Sequence, residues 1–246
     1  MIFNSENKEK NELLNLAKEI LTDHFPRHFL GDDMFIADRN MTFLSDEKFM
    51  TVLHELAKAP MYKGMAWRVH TLIWAIKSVQ HLEGDFVECG VFRGFKSHFL
   101  CKYFDFENWD KQFWLYDTYE GIAQKYSSGS PIAKEEHNKP RLHEFVQDRF
   151  SSYSNVNVIK GIVPDVFAST VPDKICYLHL DMNSYMAEIG ALEGLWSKIP
   201  SGGIVILDDY GLYSHRAQQQ HEDNWFKQVD HSVLELPTAQ GVVIKK

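Results

Sequence analysis

The stretch GDFVECGVFRG, Gly84–Gly94, decides the fold. Its apolar run Phe86–Cys89 ends in an acid and a glycine turn, spaced E-x-G-x-x-x-G, from which a helix starts at Gly94. Outward from it, further short apolar runs alternate with helical stretches: Phe113–Tyr116, Val156–Ile159, Ile175–Leu180 and Ile204–Leu207. Such runs, bounded by turn residues, predict a parallel sheet buried on both faces. Between them lie a helix from near Pro140, with Leu142, Val146 and Phe150 inward, and one from about Ser184. The latter carries a stripe of Tyr185, Ile189, Leu192, Trp196 and Ile199. A polar helix over about 214–229 is expected on the surface. Ser232–Leu236 and Gly241–Lys245, around the turn PTAQ, read as an antiparallel hairpin at the sheet edge.

Before Gly84 the pattern is helical. Met65, Val69, Leu72, Ile73, Ile76 and Val79 recur at helical spacing. Leu13, Ala17, Ile20 and Leu21 share a face of an earlier helix. Phe49, Leu53, Leu56 and Ala57 share another, behind a Ser45 cap. HFPRHFLGDD, between these two, reads as a turn. The expected organisation is an N-terminal helical extension, 1–64, which would cover the site or form a subunit contact, and a Rossmann-like α/β domain, 65–246. The polar stretch Ser127–Lys139 has the length of a lid.

The 246 residues, 44% apolar and 13% aromatic, suffice for a sizeable core. A net charge of −8, without a basic block, is opposite in sign to what a phosphate-tracking protein wants and argues against nucleic acid as a partner. No run approaches the roughly 20 apolar residues of a membrane span. The N-terminus MIFNSENKEKNE turns polar at once, unlike a signal peptide. Cys89, Cys101 and Cys176 form neither a disulfide framework nor a zinc set, which points to a reducing, cytoplasmic setting.

Ligands of an open α/β sheet bind outside the carboxyl ends of its strands. The strand ends here carry Glu88 with Gly90, then Asp117, Gly161, Asp181, and Asp208 with Asp209. Glu88 would repel a pyrophosphate, so a positively charged nucleoside without phosphates, such as S-adenosylmethionine, suits the first turn better. Asp117 is placed to accept from ribose hydroxyls. Asp181, Asp208 and Asp209 should converge, because the fourth and fifth strands are neighbours in such sheets. Two readings stand equal at this point. The acids hold Mg²⁺, or Mn²⁺ or Ca²⁺, or Asp209 caps the next helix while Asp208 faces solvent.

With WLYDTYEGI (Trp114–Ile122), LHLDMNSY (Leu178–Tyr185) and GGIVILDDYG (Gly202–Gly211), the chain is similar to the macrocin O-methyltransferase family, a group of class I S-adenosylmethionine-dependent enzymes. The resemblance runs from about Met65 to the C-terminus. It implies a seven-stranded sheet ending in the antiparallel hairpin, methylation of sugar hydroxyls on natural products, and Mg²⁺ at Asp181, Asp208 and Asp209. Glu88, Gly90, Arg93, Gly94, Asp117 and Thr118 fall on its cofactor positions; Gly161, after the third strand, is a further expected cofactor contact. His137 matches its catalytic histidine best and His143 second, with Asp181 as the other proton acceptor. Asn183 departs from the pattern, standing where the family has an acid.

The expected activity is therefore a metal-assisted O-methyltransferase acting on a small hydroxylated acceptor, a sugar or polyol, with a second copy of the chain as a further partner. A nicotinamide-dependent oxidoreductase is the alternative, weakened by the missing G-x-G-x-x-G. A non-catalytic binding protein on the same fold is another.

Overall fold

The computed structural model describes residues 7–127 and 140–246. His137 and the expected lid beyond Ser127 lie outside the described residues. The chain divides into two compact units, Met1–His70 and Thr71–Lys246.

The first unit begins with α1 (Lys8–His24), which buries no residue; Leu13 and Ile20 are exposed. HFPRHFLGDD proves to be part of a hairpin, β1 (His28–Gly31) with β2 (Met34–Ala37), and not only a turn. Its two-residue connection, Asp32–Asp33, has φ of 52° and 55°. Left-handed pairs of that kind usually announce themselves by glycine, and here neither of the two is one. Helix α2 (Glu47–Leu56) is capped by Asp46, which accepts from Phe49 N at 3.0 Å, and not by Ser45. Ser45 instead closes a 3₁₀ turn. After α3 (Pro60–Gly64), α4 (Ala66–Val79) runs across the boundary between the units. The first unit's core is aromatic: Phe43 lies against Trp67 at 4.6 Å and stacks on His70 at 4.4 Å.

The second unit is built on β3 (Asp85–Cys89), β4 (Phe113–Asp117), β5 (Val156–Lys160), β6 (Ile175–Leu180), β7 (Ile204–Leu207), β8 (Leu234–Glu235) and β9 (Gly241–Ile244). Their order is β5-β4-β3-β6-β7-β9-β8. The first five are parallel; β9 runs antiparallel to both β7 and β8, so the predicted hairpin is present with its last strand inside. Helices α5 (Phe95–Phe104), α6 (Leu142–Phe150), α7 (Tyr185–Leu195) and α8 (Arg216–Gln228) follow β3, β4, β6 and β7.

Strand alternation divides the side chains of the sheet. Val87, Cys89, Leu178, Leu180, Val205 and Leu207 form an aliphatic core with α7 and α8. Phe86, Glu88, Tyr177 and His179 point to the other face, where α5 lies. The expected stripe beginning at Tyr185 packs on this core: Leu192 and Ile199 are buried in it with Ala191 and Leu195, and Ile189 and Trp196 lie half-buried against it. One helix expectation needs correction. Helix α8 is polar yet buries Gln218 and Glu222, because Gln218 donates to the buried Glu188 of α7 at 3.0 Å.

The topological reversal falls between β3 and β6, which are neighbours although β4 and β5 separate them in sequence. Hydrogen bonds carry the ladder past the strand ends. Gly90 N donates to Tyr116 O, Asp181 N to Cys89 O, Asp208 N to Leu180 O and Gly161 N to Asp117 O, at 2.8–2.9 Å. The acid-bearing ends thus form one continuous rim.

Candidate active site

Gly90 has φ +93°, and a Cβ there would stand 2.0 Å from the carbonyl oxygen of Asp181. The turn after β3 therefore lies directly on the turn after β6, and only a glycine permits that approach. Gly94 caps α5 with φ +69°. Between them, Val91 N and Phe92 N both donate to Asp117 Oδ2 at 2.7 Å, and Tyr119 N donates to Oδ1 at 2.6 Å. Asp117, expected from the sequence at the ribose, here clamps the glycine turn. Thr118 Oγ1 donates to Gly121 O at 2.5 Å and shapes the neighbouring turn. The guanidinium of Arg93 lies 5.6 Å over the Phe145 ring. His143 stacks on Tyr119 at 4.9 Å.

Beneath the rim runs a buried polar chain. Ser97 Oγ donates to Glu88 Oε2, and Glu88 Oε1 is 3.1 Å from His179 Nδ1. His179 Nε2 is 3.4 Å from Asp208 Oδ1, which also accepts from Gln240 Nε2 at 3.0 Å. Asp208 Oδ2 meets the ammonium of Lys96, which reaches Asp181 Oδ2 at 2.7 Å. Burial acts to lower the pKa of His179, but the bonds to Asp208 and Glu88 outweigh it and lift the imidazole to about 9. Burial pushes the Asp181 carboxyl up to about 8; Lys96 pulls it down, and Asp208 and Asp209 push it up.

Asp181, Asp208 and Asp209 converge as expected, with one oxygen from each within 4.8 Å of the others. Asp208 is 3% exposed, so the alternative that it faces solvent does not hold. The following helix is not capped by Asp209; His215 occupies that position without a side-chain bond. Asn183 adopts φ +54°, a conformation asparagine tolerates well, which gives this departure from the family a backbone role. Tyr210 is a packing residue, buried with its hydroxyl donating to Asp223 at 2.5 Å.

Lys96, Ser97, His179 and Gln240 were not legible as site residues. For Lys96 the available signal was its spacing: it shares the buried face of α5 with Leu100 and Tyr103. For His179 it was the period of two, which sets Glu88, His179, Asp181 and Asp208 on one face once the strands are in register.

A seven-stranded sheet with a clamped glycine turn beside an acid-rich rim defines a class I methyltransferase fold. Residues 64–239 match the Macrocin-O-methyltransferase (TylF) family, and the chain belongs to it. It is an S-adenosylmethionine-dependent O-methyltransferase. Among its relatives, a tetracenomycin-C rhamnosyl 4'-O-methyltransferase of Streptomyces olivaceus is 26% identical over 81% of this chain and 79% of its own length. The mycinamicin III 3''-O-methyltransferase of Micromonospora griseorubida is 27% identical over 80% of each. The solved O-methyltransferase NovP shares the fold, with a TM-score of 0.64 at 18% identity over 80% of this chain and 88% of its own. An O-methyltransferase from Bacillus cereus, solved with S-adenosylhomocysteine, gives 0.51 at 10% identity over 83% and 96%.

Proposed function

We propose that this enzyme methylates a hydroxyl of a sugar or polyol-type natural-product acceptor at the carboxyl rim of its sheet. The observation that carries this reading is the Asp117 clamp on the glycine turn, set against the Asp181 loop. A pyrophosphate would need the N–H groups of Val91 and Phe92, and a carboxylate of the chain already accepts from both. The turn therefore suits a phosphate-free, positively charged nucleoside and disfavours the nicotinamide alternative. Gly90 and Gly94 give the backbone its close approach. Asp117, Thr118 and Gly161 serve the ribose side, and Glu88 and Arg93 complete the expected cofactor set. When bound there, S-adenosylmethionine supplies a methyl already activated on a sulfonium.

The protein's share is alignment and exclusion of water. Asp181 takes the proton of the attacking hydroxyl at Oδ1, while Lys96 holds its Oδ2. His137 is the other candidate from the sequence. Sugar acceptors are favoured because the two relatives above are named for methylation on a rhamnosyl group and on mycinamicin III.

For the expected Mg²⁺, three carboxylate oxygens are donors of the right kind. The Lys96 ammonium, however, already contacts two of the three acids. As arranged, the residues do not fit a divalent ion beside it.

The test is transfer of label from methyl-tritiated S-adenosylmethionine to a panel of rhamnosides, other glycosides and a simple catechol. Label on a glycoside hydroxyl supports the reading. Label confined to the catechol, or to none of the acceptors, contradicts it.

A further inference from the structure

We infer that Lys96 is the built-in cation of this site, standing where a divalent metal would sit, so that methyl transfer by this enzyme needs no added metal. The inference rests on the site reading above and concerns what neutralises its acids.

Lys96 is the second residue of α5 and is 8% exposed. A lysine there is opposed twice. Burial strips its hydration, and the positive end of the helix dipole lies beside it. Its aliphatic stem could reach solvent elsewhere on the helix, as lysines usually do. Instead its Nζ bridges Asp181 Oδ2 and Asp208 Oδ2. Asp208 is also fully engaged on its other oxygen, by Gln240 Nε2 and His179 Nε2. A metal using Asp208 would be left with the oxygen that Lys96 contacts and would sit next to an ammonium.

The two cations differ in what they permit. A divalent ion with open positions can chelate two neighbouring hydroxyls and lower their pKa. An ammonium is a compact single charge that donates hydrogen bonds. It neutralises and orients Asp181 but cannot chelate a diol. The acceptor need not then present vicinal hydroxyls, and the proton must leave to a carboxylate as the methyl arrives.

The test compares wild type with Lys96→Ala and Lys96→Arg. The wild-type protein should leave the six-line electron paramagnetic resonance signal of Mn²⁺ undiminished and show no shift in melting temperature with MnCl₂. Its methyl transfer should be unchanged by EDTA. Lys96→Ala should quench the Mn²⁺ signal and gain a melting-temperature rise of about 3 °C or more in millimolar MnCl₂. Lys96→Arg, which keeps the charge, should behave as wild type toward Mn²⁺. Mn²⁺ binding by the wild type, or loss of its activity in EDTA, overturns the inference even if no variant folds. Failure of the functional reading looks different: no acceptor is methylated, yet Mn²⁺ binds only after Lys96 is removed.

Discussion

Glu88 and His179 are register partners on adjacent strands, with Oε1 and Nδ1 3.1 Å apart and both side chains buried. The imidazole, lifted to about 9 from an ordinary 6.5, is positively charged at neutral pH and holds the two acids on either side of it. Because the folded value lies above the unfolded one, the stabilisation is complete below about pH 6.5 and is lost as pH rises through 9. Glu88→Ala leaves the imidazolium with one partner in a buried site and should cost about 3 kcal/mol in urea unfolding at pH 7. The His179 titration, followed by proton NMR, should move to lower pH.

Gly90→Ala places a methyl 2.0 Å from a backbone oxygen that cannot yield. Gly202 has a similar φ, +85°, but a Cβ there meets only the flexible end of Leu82 at 3.4 Å. Gly202→Ala should cost about 1 kcal/mol, the strain of the left-handed conformation alone. Gly90→Ala should cost several times as much and abolish binding of S-adenosylhomocysteine by calorimetry.

Asp117→Asn keeps the size of the side chain but leaves one acceptor oxygen for three backbone N–H groups. The turn should loosen, and the Kd for S-adenosylhomocysteine should rise roughly 10- to 100-fold, the equivalent of one or two lost hydrogen bonds.

Glu222 of α8 is buried near Glu188 of α7. Burial lifts Glu222 to about 7, against the pull of the neighbouring Glu188 and Gln218 side chains. Burial and the Glu222 charge hold Glu188 well above the carboxylate range. A raised folded value means stability that is full below the ordinary 4.5 and declines as pH climbs through 7. Melting temperature should therefore fall between pH 5 and 8, and Glu222→Gln should flatten that slope.

The sheet was legible because its central strands are buried on both faces and so read as unbroken apolar runs, Ile175–Leu180 and Ile204–Leu207 above all. The rim acids were legible because strand ends are marked by the turns that follow them. The β1–β2 hairpin was not, since Asp32 and Asp33 reach left-handed geometry without glycine. Lys96 and Gln240 were hidden for a different reason. Each reaches the acids from another part of the chain, across 112 and 32 residues from Asp208, and such long-range contacts leave no local pattern.

The proton-accepting role proposed for Asp181 is tested most directly by Asp181→Asn. Single-turnover transfer of labelled methyl to an accepted glycoside should slow at least 100-fold, roughly the value of one positioned base, while S-adenosylhomocysteine binds as in the wild type. Transfer at the wild-type rate by a variant that still binds the cofactor product would contradict it.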